Sequence, residues 1–138
     1  MKVLVDTSLW SLALRRKAED VSPEERRASR RLSDCIQEGR AELLGPVRQE
    51  LLSGLREQTE FVRLRDYLRD FPDVELSTED YEEAASLSNR CRRRGIASSA
   101  TDMLLCAVAV RRGWQIFTTD RDFLDYGRIL PVRLFPQR

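Results

Sequence analysis

Asp6, Glu50, Asp102 and Asp120 are acids set far apart along a 138-residue chain that contains no histidine. Without histidine the chain has no Ser-His-Asp or Cys-His nucleophile system, no imidazole acid/base pair and no ordinary zinc site. Hydrolytic chemistry would fall to carboxylates. Gathered at one edge, four carboxylates repel one another and burial raises their pKa values, so the cluster is stable chiefly around a hard divalent cation. An all-oxygen ligand set points to Mg²⁺ or Mn²⁺ rather than zinc. Taken singly, each acid also has a local role open to it. Asp6 could cap a helix, Asp102 could complement a helix dipole, Asp120 could close an Asx-turn and Glu50 could face water. Their joint placement is what favours the cation.

That placement depends on the elements around them. Lys2 to Val5 is a short apolar run without alternation, as in a strand covered on both faces, and it ends at Asp6. A helix follows from Ser8, and another after Pro23 carries Ala28, Leu32, Cys35 and Ile36 on one stripe until Gly39. Ala41 to Leu44 reads as a second strand. Gly45-Pro46 then opens a helix bearing Glu50, proline suiting a first helical position. Phe61, Leu64 and Leu68 mark an amphipathic helix, and Val74 to Leu76 is a brief strand candidate. Ser77 and Thr78 are caps for a helix with an expected stripe of Tyr81, Ala84, Ala85 and Ser88, ending at Gly95. Ser98-Ser99 cap the most apolar helix, about Ala100 to Arg112, with Asp102 in its first turn. Gln115 to Thr118 is a strand, Asp120 to Tyr126 a helical turn and Ile129 to Leu134 a last strand.

Strands separated by helices at these lengths predict an α/β fold, a parallel sheet with right-handed crossovers and helices on both faces. Ligands in such sheets bind beyond the carboxyl ends of the strands, where Asp6 and Asp120 stand. With 41% hydrophobic residues and no repeat or linker, one domain over residues 1–138 is expected. Cys35, Cys91 and Cys106 are odd in number and widely spaced, which fits a reducing, cytoplasmic setting. The longest apolar run, Met103 to Val110, is too short to span a bilayer, and no signal-peptide core follows Met1. No membrane association is expected.

Four segments, VLVDTSLW, VRQELLSG, ATDMLLCAVA and FTTDRDF, resemble the signature segments of PIN-domain ribonucleases. The resemblance runs from Lys2 to about Phe123, and the short length is similar to that of the VapC toxins of toxin–antitoxin pairs. It implies a PIN-like three-layer α/β/α fold with a central, mainly parallel sheet. Carried over by position, it implies that Asp6, Glu50, Asp102 and Asp120 are catalytic and hold Mg²⁺ or Mn²⁺. Thr7 and Ser8 match small polar residues whose hydroxyls orient a carboxylate or a water. Cys106 departs from the alanine usual in the family, and Asp122 lies close enough to compete with Asp120 as an outer ligand. The implied function is that of an endoribonuclease cutting transfer or ribosomal RNA through metal-activated water, leaving 5′-phosphate and 3′-hydroxyl ends. A cognate VapB-like antitoxin and a homodimer are the implied partners.

All but two of the basic residues, Lys2 and Lys17, are arginine, whose planar fork suits phosphate. Arg121, Arg92 and Arg93 are the candidates for contact with an RNA backbone. Arg111-Arg112 read instead as a solvated helix end suiting the dipole. Leu51 reads as core, whereas Trp10 reads equally as core or as part of a groove for an antitoxin segment. Rival assignments fit less well. A haloacid dehalogenase-type phosphatase wants a second aspartate where Ser8 stands, and a receiver domain wants a paired acid and a late lysine that are missing. A non-catalytic PIN-like scaffold binding RNA or protein is the alternative, and the full set of acids argues against it.

Overall fold

Val3, Leu4 and Val5 are wholly buried because their strand, β1 (Val3–Val5), lies at the centre of a sheet with helices on both faces. β1 pairs in parallel with β2 (Ala41–Glu42) on one side and β3 (Gln115–Phe117) on the other, with Val3 opposite Ala41 and Gln115. The computed structural model describes residues 1–14 and 21–136. Lys17 lies outside them.

The sheet order is β2-β1-β3. The chain moves one way from β1 to β2 and the other way from β2 to β3, so right-handed crossovers put their helices on opposite faces. α1 (Thr7–Ala13) and α2 (Pro23–Gln37) belong to the first crossover, and α5 (Thr78–Arg93) and α6 (Ala100–Arg112) to the second. α3 (Gly45–Ser53) packs on α1, α4 (Gln58–Leu68) packs on α3, and α7 (Asp122–Ile129) packs against α5. The result is the expected three-layer α/β/α arrangement with a parallel central sheet.

Several helix boundaries follow from local chemistry. Ser22 and Glu25 form a capping box that starts α2, Ser77 and Asp80 form another that starts α5, and the Ser99 hydroxyl accepts the Asp102 N–H to start α6. α6 ends at Gly113, whose φ of 71° lies in the left-handed region that favours glycine.

Three expected strands are shorter than the sequence suggests. β2 stops at Glu42 because Leu44 already caps α3, leaving Leu43 as a single bridge to Asp73. The Val74–Leu76 candidate reduces to that bridge and to the Val74 N–H donating to the Leu43 carbonyl, since Ser77 at once begins α5. Between Ile129 and Leu134, α7 runs on to Ile129 and Pro131 offers no N–H, so only Leu134 bridges to Ile116.

The buried stripe of α5 is also rotated from expectation. It consists of Asp80, Ala84, Leu87 and Cys91, while Tyr81 and Ala85 are exposed and Ser88 is half-buried. The cause is a buried carboxylate. Asp80 is 1% exposed, and Arg111 Nε donates to its Oδ1 at 2.9 Å while Arg112 Nη2 donates to its Oδ2 at 3.1 Å. Arg111-Arg112 are therefore not a free solvated helix end. They clamp the start of α5 to the end of α6, which fixes the two helices as an antiparallel pair. Trp10 is core: it is fully buried, edge-on to Phe71 at 5.0 Å between centroids, and Leu51 is buried as expected.

Burial alone would raise the Asp80 carboxyl, but the Ser77 N–H and the Arg112 and Arg111 guanidinium groups outweigh it and hold the pKa below the usual value. Its stabilising contribution is complete above the unfolded carboxylate pKa of about 3.9 and is lost as the pH falls through the lowered folded value. Asp80→Asn is expected to lose about 2–3 kcal/mol at pH 7, the scale of hydrogen bonds to charged groups. Urea denaturation between pH 7 and pH 2 should show the difference from wild type shrinking as the acid limit is approached.

Candidate active site

The end of β1 delivers Asp6 and the end of β3 delivers Thr118 and Asp120 to one edge of the sheet, where the strand order reverses. The Asp6 N–H donates to the Phe117 carbonyl at 2.9 Å, so the two strand ends leave the sheet tied together. Asp6 occupies the cap position of α1 but makes no side-chain cap bond. Its carboxylate, 5% exposed, instead accepts at Oδ2 from Thr118 Oγ1 at 2.7 Å and from Ser8 Oγ at 2.9 Å. Thr118 Oγ1 also accepts the Asp120 N–H at 2.9 Å, and Ser8 Oγ accepts the Thr119 N–H at 3.0 Å. Two hydroxyls thus link the loops after β1 and β3 and hold a buried carboxylate.

Asp102 enters from the first turn of α6, and Asp122 from the first turn of α7. One carboxylate oxygen from each of Asp102, Asp120 and Asp122 lies within 4.8 Å of the other two. Asp120 keeps the local role open to it, since its Oδ1 accepts the Asp122 N–H at 2.9 Å in an Asx-turn. That turn also aims Asp122 into the group. Asp6 and Glu50 line the same open cleft of about 670 Å³, together with Thr7, Ser8, Ser99, Thr101, Asp102 and Asp120, but neither belongs to the tight group. Glu50 is exposed on the wall formed by α3, where Thr7 Oγ1 donates to its Oε1 at 3.1 Å. The expected four acids therefore share one cleft, and Asp122 rather than Glu50 sits closest to Asp102 and Asp120.

The electrostatics follow from this crowding. Burial first, then the neighbouring Asp6 and Asp120 carboxylates, push Asp102 above the usual carboxylate range, while a hydrogen bond from Tyr126 restrains the rise. Tyr126 Oη donates to Asp102 Oδ2 at 2.8 Å. Burial and the Asp102 carboxylate push the phenol far above its ordinary value, so it serves as a donor at any working pH. The Cys106 thiol, one turn beyond Asp102, is raised by burial and is no nucleophile. Tyr126 carries one sequence signal, its position four residues after Asp122, which puts both on one face of α7. Thr118 stands just after β3, two residues before Asp120.

Arg121 is exposed at the start of α7. Arg92 and Arg93 are exposed in the last turn of α5, and the antiparallel pairing puts that end beside the start of α6. Among the described residues no acid pairs with either, and Arg92 Nη1 donates to Asn89 Oδ1.

An all-oxygen group of this spacing, free of nitrogen and sulfur donors, has the chemistry of a site for a hard divalent cation. Fold and cleft together define an α/β domain with an anionic site at the carboxyl edge of a parallel sheet. The PIN domain family matches residues 3–129. Ribonuclease VapC11 of Mycobacterium tuberculosis and a VapC ribonuclease of Mycobacterium bovis are each 30% identical over 129 residues, covering 92% of both chains. The fold resembles that in the FitAcB structure from Neisseria gonorrhoeae, with a TM-score of 0.74 at 19% identity over 98% of this chain and 97% of that one. It also resembles VapBC2 from Rickettsia felis bound to a promoter DNA fragment, with a TM-score of 0.72 at 14% identity over 98% of both chains. The chain belongs to the PIN-domain family, among proteins similar to the VapC ribonucleases.

The hydroxyls of Ser8 and Thr118 each serve the Asp6 carboxylate and a backbone N–H, but Thr118 is buried where Ser8 is half-buried, so its hydroxyl is the harder one to replace by water. Thr118→Val preserves shape and should destabilise the protein by about 1–3 kcal/mol, the cost of leaving a buried polar group unsatisfied. Thermal and urea unfolding should show a larger loss than for Ser8→Ala.

Proposed function

We propose that this protein is a divalent-metal-dependent endoribonuclease, the toxin of a VapBC-type toxin–antitoxin pair. The observation that carries the proposal is the group of Asp102, Asp120 and Asp122 oxygens within 4.8 Å of one another, in a cleft that Asp6 and Glu50 also line. Kinship with VapC ribonucleases supports RNA as the substrate. The likeness of the fold to solved VapBC structures supports a VapB-like antitoxin as partner, and a homodimer is the unit proposed to bind it.

Asp102, Asp120 and Asp122, with Asp6 behind them, would hold Mg²⁺ or Mn²⁺. When bound, the cation supplies Lewis acidity and positive charge to offset the phosphate and the leaving oxygen. The chain's own groups do the rest. Ser8 and Thr118 hold Asp6 in one orientation, because both hydroxyls donate to the same oxygen of its carboxylate. Glu50, across the cleft and steadied by Thr7, orients the attacking water and takes its proton. In-line attack at phosphorus then leaves a 5′-phosphate and a 3′-hydroxyl. Arg121 on one side, with Arg92 and Arg93 on the other, hold the flanking phosphates and draw an anionic substrate past acids that would otherwise repel it. The three buried free cysteines suit a reducing cytoplasm.

Purified protein freed of any partner is expected to cut RNA with Mg²⁺ or Mn²⁺ and to stop in excess chelator. Asp102→Ala should slow cleavage at least roughly 100-fold, the loss of several kcal/mol of transition-state stabilisation. Equal cleavage in chelator would overturn the proposal. For the arginines, RNA binding measured against salt in the Asp102→Ala background is the check. Removing Arg92 and Arg93 together should flatten the log–log salt slope by about 1.4, two single-strand phosphate contacts at about 0.7 each. An unchanged slope would place the RNA elsewhere.

A further inference from the structure

We propose that Tyr126 is a positioning residue for the metal site: its buried phenol anchors one oxygen of Asp102 and so aims the carboxylate at the cation. This rests on the reading of the cleft as a cation site given above.

Tyr126 is 1% exposed, on the second turn of α7, with its ring edge-on to Phe123 at 5.1 Å between centroids. A buried tyrosine hydroxyl must find a partner, and a backbone carbonyl would serve. Here the partner is an acid of the cleft, Asp102 Oδ2, at 2.8 Å. Phenylalanine would pack much as tyrosine does, so the hydroxyl adds little to the core beyond this bond. The torsion that orients an aspartate carboxylate is broad and weakly restrained by the side chain's own geometry. Asp102 stands among like charges that favour turning it away. Tying Oδ2 down restricts the direction in which Oδ1 faces. The same helix carries Asp122, four residues earlier, into the group that includes Asp102. A single rigid element thus supplies one acid of the group and orients another across the gap between α7 and α6. Partners that orient ligating groups in this way typically change metal affinity or activity 10–100-fold when removed.

The test is Mn²⁺ binding to the full chain, followed by calorimetry and by the spin-resonance signal of free Mn²⁺, without RNA. Tyr126→Phe should weaken the Mn²⁺ Kd about tenfold or more while unfolding cooperatively. Phe123→Leu loosens packing on the same helix without touching the hydroxyl. It should lower Tm yet leave the Mn²⁺ Kd within about twofold, because the Asp102 hydrogen bond survives. Wild-type Mn²⁺ affinity in Tyr126→Phe would overturn the assignment, as would an equal loss of affinity in Phe123→Leu. Loss of Mn²⁺ binding in Asp102→Ala tests the cation site itself. If wild type binds Mn²⁺ and Tyr126→Phe matches it, only the role of Tyr126 falls. If wild type binds none, the cation reading falls with it.

Discussion

Like charges resist being brought together, and the arrangement of this protein is organised around overcoming that resistance at one edge of a small sheet. Two unit charges about 4.8 Å apart repel by roughly 3.5 kcal/mol at an effective dielectric of about 20, before solvent and salt screen them. Asp102, Asp120 and Asp122 bring oxygens within 4.8 Å of one another, with Asp6 buried behind them, although Asp120 and Asp122 face solvent that screens much of the repulsion. A domain whose net stability is typically about 5–15 kcal/mol cannot leave such repulsion unanswered. The answer is visible in donors placed on every side. Ser8 and Thr118 hydroxyls serve Asp6, backbone N–H groups serve Ser8, Thr118 and Asp120, and the Tyr126 phenol serves Asp102. These bonds fix the directions in which the acids point.

The antiparallel pair of α5 and α6 separates this demand from the needs of stability. At one end, Arg111 and Arg112 neutralise the buried Asp80 and lock the helices together. At the other, Asp102 opens α6 beside the arginines that finish α5, and no acid among the described residues pairs with Arg92 or Arg93. Charge is cancelled where it would only cost stability and left exposed at the end of the pair that borders the cleft. The short sheet suits this division. With three strands of two or three residues each, the ends of β1 and β3 lie close enough for two hydroxyls to join the loops that follow them.

How much of this was legible in the chain varied with the range of the interaction. Ser99 as a cap, Gly95 as a stop and Pro46 as a helix opener are local signals spread over one turn, and the structure bears them out. The stripe of α5 did not, because its first buried member is an aspartate. Periodicity arguments take a charged residue as a mark of the exposed face, and Asp80 is buried only because Arg111 and Arg112 arrive from 31 and 32 residues away. The strands at Val74–Leu76 and Ile129–Leu134 had acceptable composition but too little room beside a helix cap and a proline.

The residue types alone determined that any hydrolytic chemistry would rest on carboxylates, since histidine is absent, and that Asp6 and Asp120 would follow strands of a parallel sheet. Tertiary structure decided the company those acids keep. It drew Asp122 into the tight group, set Glu50 on the facing wall and put a tyrosine hydroxyl on Asp102. The physical reason is that a strand's direction and a helix's ends are written in a few consecutive residues. Which side chains meet across a cleft depends on how helices rotate and cross when the whole core packs, and no short segment carries that information.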